Sequence, residues 1–182
     1  MKKYLAIFAL GCLFFTQGLA QSSWKFKSVE YVGMLTGESG KYGQFQTING
    51  AANKSWFVGL GLGLDYYRFR SLPIFLSVTR ELRPAKKNGL FLTLDAGYNY
   101  AVYHRPGSYY SPGFITSEFN PGPYWNAGLG YRYNISTIHR NRALLAMVGY
   151  SYKELKEDAK TYPESTFDYR NRRWSFKIGI AL

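Results

Sequence analysis

The chain has almost no cysteine and almost no histidine. Its one cysteine, Cys12, lies near the amino terminus, so the rest of the chain can form no disulfide and offers no thiol nucleophile. The two histidines, His104 and His139, are far apart, and with no second cysteine they form no cluster of metal ligands. The sequence therefore predicts no metal, no cofactor and no thiol chemistry.

The chain also lacks a long apolar run and is poor in acidic residues. After the first twenty residues the longest apolar stretch covers residues 57–64 and is interrupted by glycines, whereas a transmembrane helix needs about 20 apolar residues. This excludes a helical membrane protein. Lysine and arginine number 23 against 11 acidic residues, for a formal net charge of +12. In an exported protein such a balance favours contact with anionic lipid phosphates over nucleic acid.

The first twenty residues have the pattern of an export signal. Lys2 and Lys3 precede an apolar segment over residues 4–15, and Gly18-Leu19-Ala20 offers a small-residue cleavage site. We therefore expect a secretory signal peptide over residues 1–20 and one exported domain over residues 21–182.

Most of that domain alternates between two kinds of residue. In "WFVGLGLGLDYYRFR" (residues 56–70), leucines point to one side and glycines, followed by Asp65, to the other. This period of two is the signature of a strand. It recurs in eight segments, of which the second is the weakest: residues 25–35, 42–49, 56–67, 72–81, 90–103, 124–135, 143–153 and 173–182.

The polar face of these strands is a poor surface for water, because it is mostly glycine, serine and asparagine with isolated charges. The apolar face ends in tyrosine and tryptophan, and aromatics make up 19% of the chain. A lipid-facing apolar band with aromatic girdles and a polar interior describes a transmembrane barrel. The sequence predicts an all-β fold, an eight-stranded antiparallel transmembrane β-barrel with up-and-down meander topology.

Eight strands leave an interior only just wide enough for side chains to fill. We expect the inward glycines to make room for larger neighbours and the inward charges to pair, which predicts a plugged lumen. The predicted lumen charge network contains both signs: Glu30, Asp65, Glu81, Asp95, Arg132, Lys153 and Lys177.

An even number of strands puts both termini in the periplasm. The two long connections, residues 105–123 and 154–172, then face outward. Several arginines would lie at the outer rim, beside lipopolysaccharide phosphates, which the guanidinium group suits well. These predicted lipid-phosphate contacts are Arg68, Arg70, Arg105, Arg170, Arg172 and Arg173.

The signal peptide, the glycine- and aromatic-rich strands, the long outer loops and the terminal "RRWSFKIGIAL" together resemble the small bacterial outer-membrane β-barrel proteins of the OmpA/OmpX-like eight-stranded class. The segment "YGQFQTING…KSWFVGLGLGLDYYRFRSLPIFL" is also similar to an uncharacterised outer-membrane β-barrel domain family. The resemblance implies insertion by the outer-membrane barrel assembly machinery. That machinery reads a terminal aromatic residue in such proteins, whereas this chain ends in Leu182.

We expect a monomeric, non-enzymatic barrel with a structural or surface-interaction role. One alternative is a lipid-A-modifying hydrolase or acyltransferase using His104 with Ser108 and Glu118. A Ser–His pair needs rigid geometry, and these residues lie in a stretch rich in proline and glycine, so no catalytic residue is predicted. Another alternative is an accessory subunit of a secretion or assembly complex, with basic periplasmic turns as its contact: Arg83, Lys86, Lys87, His139, Arg140 and Arg142.

Overall fold

The computed structural model describes residues 24–68, 70–84, 88–102, 117–135, 142–159 and 165–182. Eight strands account for nearly all of them: β1 (Lys25–Gly37), β2 (Gly40–Ala52), β3 (Trp56–Asp65), β4 (Ser71–Glu81), β5 (Gly89–Ala101), β6 (Ser117–Asn134), β7 (Ala143–Ala159) and β8 (Ser165–Ala181). Across this described part of the chain, no helix is long and apolar enough to cross a membrane. The eight predicted strands, including the weak second one, are all present.

The strands form one closed barrel in which each strand pairs antiparallel with its neighbours in the chain and β1 pairs with β8. A path of directly paired residues that leaves Lys27 returns to β1 at Gly37, a shear of ten residues. Eight strands with a large shear tilt by about 35–45° and enclose a narrow interior. The predicted up-and-down meander is confirmed.

Successive residues along each strand point alternately to the outer wall and to the interior of the barrel. On β3, Leu60 is 69% exposed on the outer wall while Asp65 is 3% exposed in the interior. Leucine, isoleucine, tyrosine and tryptophan side chains cover the outer wall on every side except near β1 and β2. This arrangement is an apolar belt around a filled interior, as a membrane-spanning barrel requires.

The three last strands extend well beyond the others. β6, β7 and β8 have 18, 17 and 17 residues, whereas β1 to β5 have between 10 and 13. Much of the two predicted long loops is therefore strand: residues 117–123 belong to β6, 154–159 to β7 and 165–172 to β8. We call these three segments the outer extension.

Glu30 is not in the lumen, and this prediction is wrong. Its neighbours Val29 and Tyr31 are both buried in the interior, so Glu30 must point to the outer wall. The error has a physical cause. In β1 the interior face carries apolar residues that fill the narrow lumen, so apolar character does not mark the lipid side of this strand.

The inward glycines make room for larger neighbours, and at two of them the neighbour is an aromatic ring. A methyl group added at Gly61 would lie 2.2 Å from the ring of Phe75, and one at Gly130 would lie 2.2 Å from the ring of Phe91. Phe75 and Phe91 belong to a buried apolar cluster inside the barrel. The lumen is thus polar toward the outer extension and apolar in much of its other half.

Candidate functional site: the lumen and the outer extension

Asp65, at the end of β3, is the centre of the charged group nearest the outer extension. Its Oδ2 atom contacts the guanidinium of Arg173 from β8 and lies 3.1 Å from Nζ of Lys153 from β7. The backbone amide of Tyr67 donates to Oδ1 at 2.7 Å. All three charged side chains are at most 4% exposed. One carboxylate therefore serves two buried cations.

The two cations are also held by neutral groups. Lys153 donates to the backbone carbonyl of Tyr67 at 3.0 Å and to the hydroxyl of Ser71 at 2.9 Å. Arg173 donates to the hydroxyl of Ser151 at 3.0 Å, and its guanidinium lies 5.2 Å from the ring centre of Tyr67. These contacts join β3, β4, β7 and β8 across the lumen.

A second buried group surrounds Asp95 on β5. Ser77 donates to its Oδ1 at 2.7 Å and Asn126 to its Oδ2 at 2.9 Å. Nζ of Lys177 is 3.8 Å from Oδ2 and donates to Oε1 of Gln46 at 2.6 Å. Gln46 connects this group onward to Tyr124, at 3.0 Å.

The third charged pair, Glu81 with Arg132, lies at the end of the barrel that carries the chain termini. Its side chains are in direct contact and are 18% and 14% exposed. Between this pair and Lys177 lies a cavity of about 20 Å³, lined partly by Phe57 and Met147. Such a volume holds about one water molecule.

The structure thus brings together six of the seven residues proposed for the lumen, as Arg132 with Glu81, Lys153 with Asp65, and Lys177 with Asp95. Sequence reasoning missed the neutral partners Ser77, Asn126 and Gln46. The alternation of the strands could have identified them, because all three lie on the same face as the inward charged residues of their own strand or of the strand paired with it.

Arg173 was expected at the outer rim beside lipid phosphates, and this expectation is wrong. It is 1% exposed and contacts Asp65 inside the barrel. The cause is parity: Arg173 is two residues from Ser175 and four from Lys177, both of which point inward on the same strand.

Four of the other predicted rim arginines lie toward the end of the barrel opposite the termini. The guanidinium of Arg68 lies 4.6 Å from the ring centre of Tyr169, and that of Arg70 lies 5.2 Å from the ring centre of Tyr66. Arg170 is 64% exposed and lies 3.9 Å from both Glu154 and Asp168. Arg172 is exposed on the outer wall. Arg105 lies outside the described residues.

The outer extension is a three-stranded sheet with its own side-chain contacts. Asn120 and Thr166 both donate to Asp158, at 2.7 Å and 3.0 Å. The hydroxyl of Tyr169 donates to Glu157 at 2.8 Å. Burial, together with this bond, raises the pKa of the Tyr169 phenol above its ordinary value. These side-chain hydrogen bonds stabilise the extension outside the belt of apolar residues.

The residues of the enzymatic alternative cannot be placed together. His104 and Ser108 lie outside the described residues, as does the side chain of Glu118, whose backbone belongs to β6. Of the basic turns, Arg83 and Arg142 are exposed, and Lys86, Lys87, His139 and Arg140 lie outside the described residues. No group of three or more metal-binding side chains is found among the residues that the structure describes.

No protein-family model matches the sequence, and no curated protein matches it. Among solved structures, Neisserial surface protein A superposes with a TM-score of 0.59 at 14% identity, over 88% of this chain and 97% of that one. A de novo designed transmembrane β-barrel matches with a TM-score of 0.41 at 16% identity, over 86% of this chain and 95% of that one. With its closed eight-stranded meander and apolar outer wall, the chain has the fold of the small outer-membrane β-barrel proteins.

Proposed function

We propose that this protein is a non-enzymatic barrel of the bacterial outer membrane, with a plugged lumen, that acts at the cell surface through its outer extension. The observation that carries the proposal is the combination of a lumen filled by buried ion pairs with a sheet that continues beyond the apolar belt. The barrel then serves as the rigid membrane anchor of the sheet.

The orientation rests on the connections. The longest interval between strands, residues 102–116 between β5 and β6, falls at the end opposite both termini, as does the outer extension. Outer-membrane barrels have short periplasmic turns and long outer connections. With the termini in the periplasm, the outer extension faces the cell exterior.

The plug is supported by packing. The Asp65 and Asp95 groups block the lumen at two depths with side chains that are almost fully buried. We expect the purified protein in planar lipid bilayers to show no sustained ion conductance. A stable open channel in the unmodified protein would contradict the plug without touching the role of the extension.

The extension offers one specific way to bind a partner. The pairing of β8 with β1 ends at Arg173 and Gly37, while β8 itself begins at Ser165. No other described strand pairs with residues 165–172 on that side. A sheet edge of this kind binds an extended peptide by backbone hydrogen bonds.

A surface-binding experiment tests this role. The probe is a fluorescent extended peptide of alternating threonine and valine, added to intact cells that express the protein. Binding should disappear when residues 155–169 are replaced by a two-residue turn, which keeps the Lys153–Asn171 register. A backbone N-methylated peptide is the control, since it cannot donate to the edge. Equal binding by the shortened protein or by the methylated peptide would refute the extension as the binding element.

We further propose that the exposed rim arginines contact lipopolysaccharide phosphates. Arg70 and Arg172 lie at the outer end of the apolar belt, where those phosphates are found. Replacing both with glutamine should lower the lipopolysaccharide that co-purifies with the barrel, while Arg80→Gln at the opposite end should not. Unchanged co-purification in the double variant would count against the contact.

The absence of enzymatic activity is tested separately, by equal lipid A masses in cells with and without the protein.

A further inference from the structure

Four polar side chains interrupt the apolar outer wall where β1 meets β2. Ser28 and Glu30 point outward from β1, and Thr47 and Asn49 point outward from β2 in directly paired positions. We call these four residues the polar patch. Elsewhere the described side chains of the same belt are apolar, from alanine to tryptophan, so the patch stands out in polarity.

Strand pairing puts the patch inside the apolar belt rather than at its edge. Glu30 pairs with Ile180 of β8, and Asn49 pairs with Leu60 of β3. Both neighbours are exposed on the outer wall, as is Val32, the next outward residue along β1. Lipid tails therefore surround the patch unless a protein covers it.

Hydrogen bonds within the patch satisfy only part of it. The hydroxyls of Ser28 and Thr47 both donate to Oε1 of Glu30, each at 2.9 Å, and Asn49 donates to the hydroxyl of Thr47 at 3.3 Å. No described group donates to Oε2 of Glu30 or to the side-chain carbonyl of Asn49. Hydrocarbon supplies no water to complete these groups, so leaving them exposed to lipid is unfavourable.

The three most exposed large hydrophobic side chains lie beside the patch. Phe26, Leu60 and Ile178 are the most exposed large hydrophobic residues of the described chain, at 73%, 69% and 65%. Phe26 is two residues before Ser28, Leu60 pairs with Asn49, and Ile178 is two residues from Ile180, which pairs with Glu30. A polar centre bordered by apolar side chains is the arrangement of many protein–protein contact sites.

The chemistry and depth of the patch fit a second copy of the same chain. Two copies inserted in the same direction are related by an axis along the membrane normal, so only residues of equal depth can meet. A shear of ten over eight strands raises each paired residue by about one and a quarter positions per strand. Asn49, which pairs with Ser28, therefore lies within about one residue of the depth of Glu30.

We propose that two copies of this chain form a dimer in the membrane through the polar patch. The side-chain amide of the partner's Asn49 donates its second N–H to Oε2 of Glu30, and the symmetry repeats the bond. Phe26, Leu60 and Ile178 pack around these two bonds. The proposal departs from the monomer that the sequence leads us to expect.

Substitutions at Glu30 separate this proposal from simple apolar association. Glu30→Leu removes the hydrogen-bonding group but makes the wall more apolar, whereas Glu30→Gln keeps a side chain that can hydrogen-bond to the partner's Asn49. In liposomes, energy transfer between donor- and acceptor-labelled copies should persist in the wild type and in Glu30→Gln. It should fall at least tenfold in Glu30→Leu and in Asn49→Leu. Heat-dependent gel mobility checks that each variant is folded.

A crosslinking experiment locates the interface. Ala51 borders the patch, and Ala127 is its counterpart on the outer wall of β6, across the barrel. Ala51→Cys should crosslink to dimers with a short flexible bis-maleimide, whereas Ala127→Cys and the wild type should not. The proposal is overturned if the wild type is monomeric in liposomes, if Glu30→Leu dimerises as well as the wild type, or if both cysteine variants crosslink equally.

Discussion

Asp65 and Arg173 are 108 residues apart in the chain and form an ion pair inside the barrel. Lys153 shares the same carboxylate oxygen at 3.1 Å. One anion therefore compensates two cations at a site with almost no access to water. Removing one member of a buried pair leaves a charge without compensation, which costs more than the pair itself contributes.

Asp65→Asn should therefore lower the free energy of unfolding by about 3–5 kcal/mol, because both Arg173 and Lys153 lose their counter-charge. Urea unfolding in lipid vesicles, followed by tryptophan fluorescence, measures the loss. Glu81→Gln is the matched control, since that pair is partly exposed, and it should cost less, nearer the roughly 1 kcal/mol of solvated pairs. Equal losses in the two variants would contradict the central role of Asp65.

Neighbouring arginines on β8 allow a second test. Arg173 is buried and Arg172 is exposed. Arg173→Met should lower the free energy of unfolding by about 3 kcal/mol, since Asp65 loses a partner. Arg172→Met should change it by less than about 0.5 kcal/mol, as is usual for surface positions. The same urea titration compares the two variants. A larger loss of stability in Arg172→Met than in Arg173→Met would contradict the buried position of Arg173.

Arg68 has a backbone φ of 61°, in the left-handed region. A residue with a Cβ atom is disfavoured there, whereas glycine is not. Arg68→Gly and Arg68→Ala both lose the contact with Tyr169, so comparing them isolates the backbone. The glycine variant should be the more stable by about 0.5–1 kcal/mol, after allowing for the greater freedom of glycine in the unfolded chain. Equal thermal unfolding of the two would show that the strain at this position does not exceed the extra entropy that glycine loses on folding.

The alternation of residues was sufficient to predict the strand count, the meander and most inward charges, because a strand in a membrane barrel has two very different environments. It failed where the two environments overlap. β1 fills the lumen with Val29 and Tyr31, so the pattern misassigned Glu30 to the interior. The outer extension was missed for a related reason. Over residues 156–158 of β7 and 166–170 of β8 the side chains of both faces are at least partly exposed, and the contrast that reveals a strand disappears.

The contacts between specific side chains across the lumen could not be predicted from the sequence either, because they depend on the shear of the barrel. Asp65 meets Arg173, on a strand that is not its neighbour, only because the strands are tilted and staggered. The alternation along a strand predicts which residues point inward, but the depth of each residue in the barrel determines which of them are in contact. The glycine contacts depend on strand register instead, because Gly61 is paired directly with Phe75 and Gly130 with Phe91.

Gly61→Ala tests that fit directly. The added methyl group would lie 2.2 Å from the Phe75 ring, and overpacking of this kind costs about 1–3 kcal/mol. Gly43→Ala on β2 is the control, since an added methyl group there has no atom within 4 Å, and it should be nearly neutral. Phe75→Leu should restore part of the stability lost in Gly61→Ala, because the smaller side chain leaves room for the methyl group. Urea unfolding of the single and double variants measures the coupling. If Phe75→Leu adds its own loss in full to that of Gly61→Ala, the two positions are independent, and the inference that glycine creates the space for the ring is wrong.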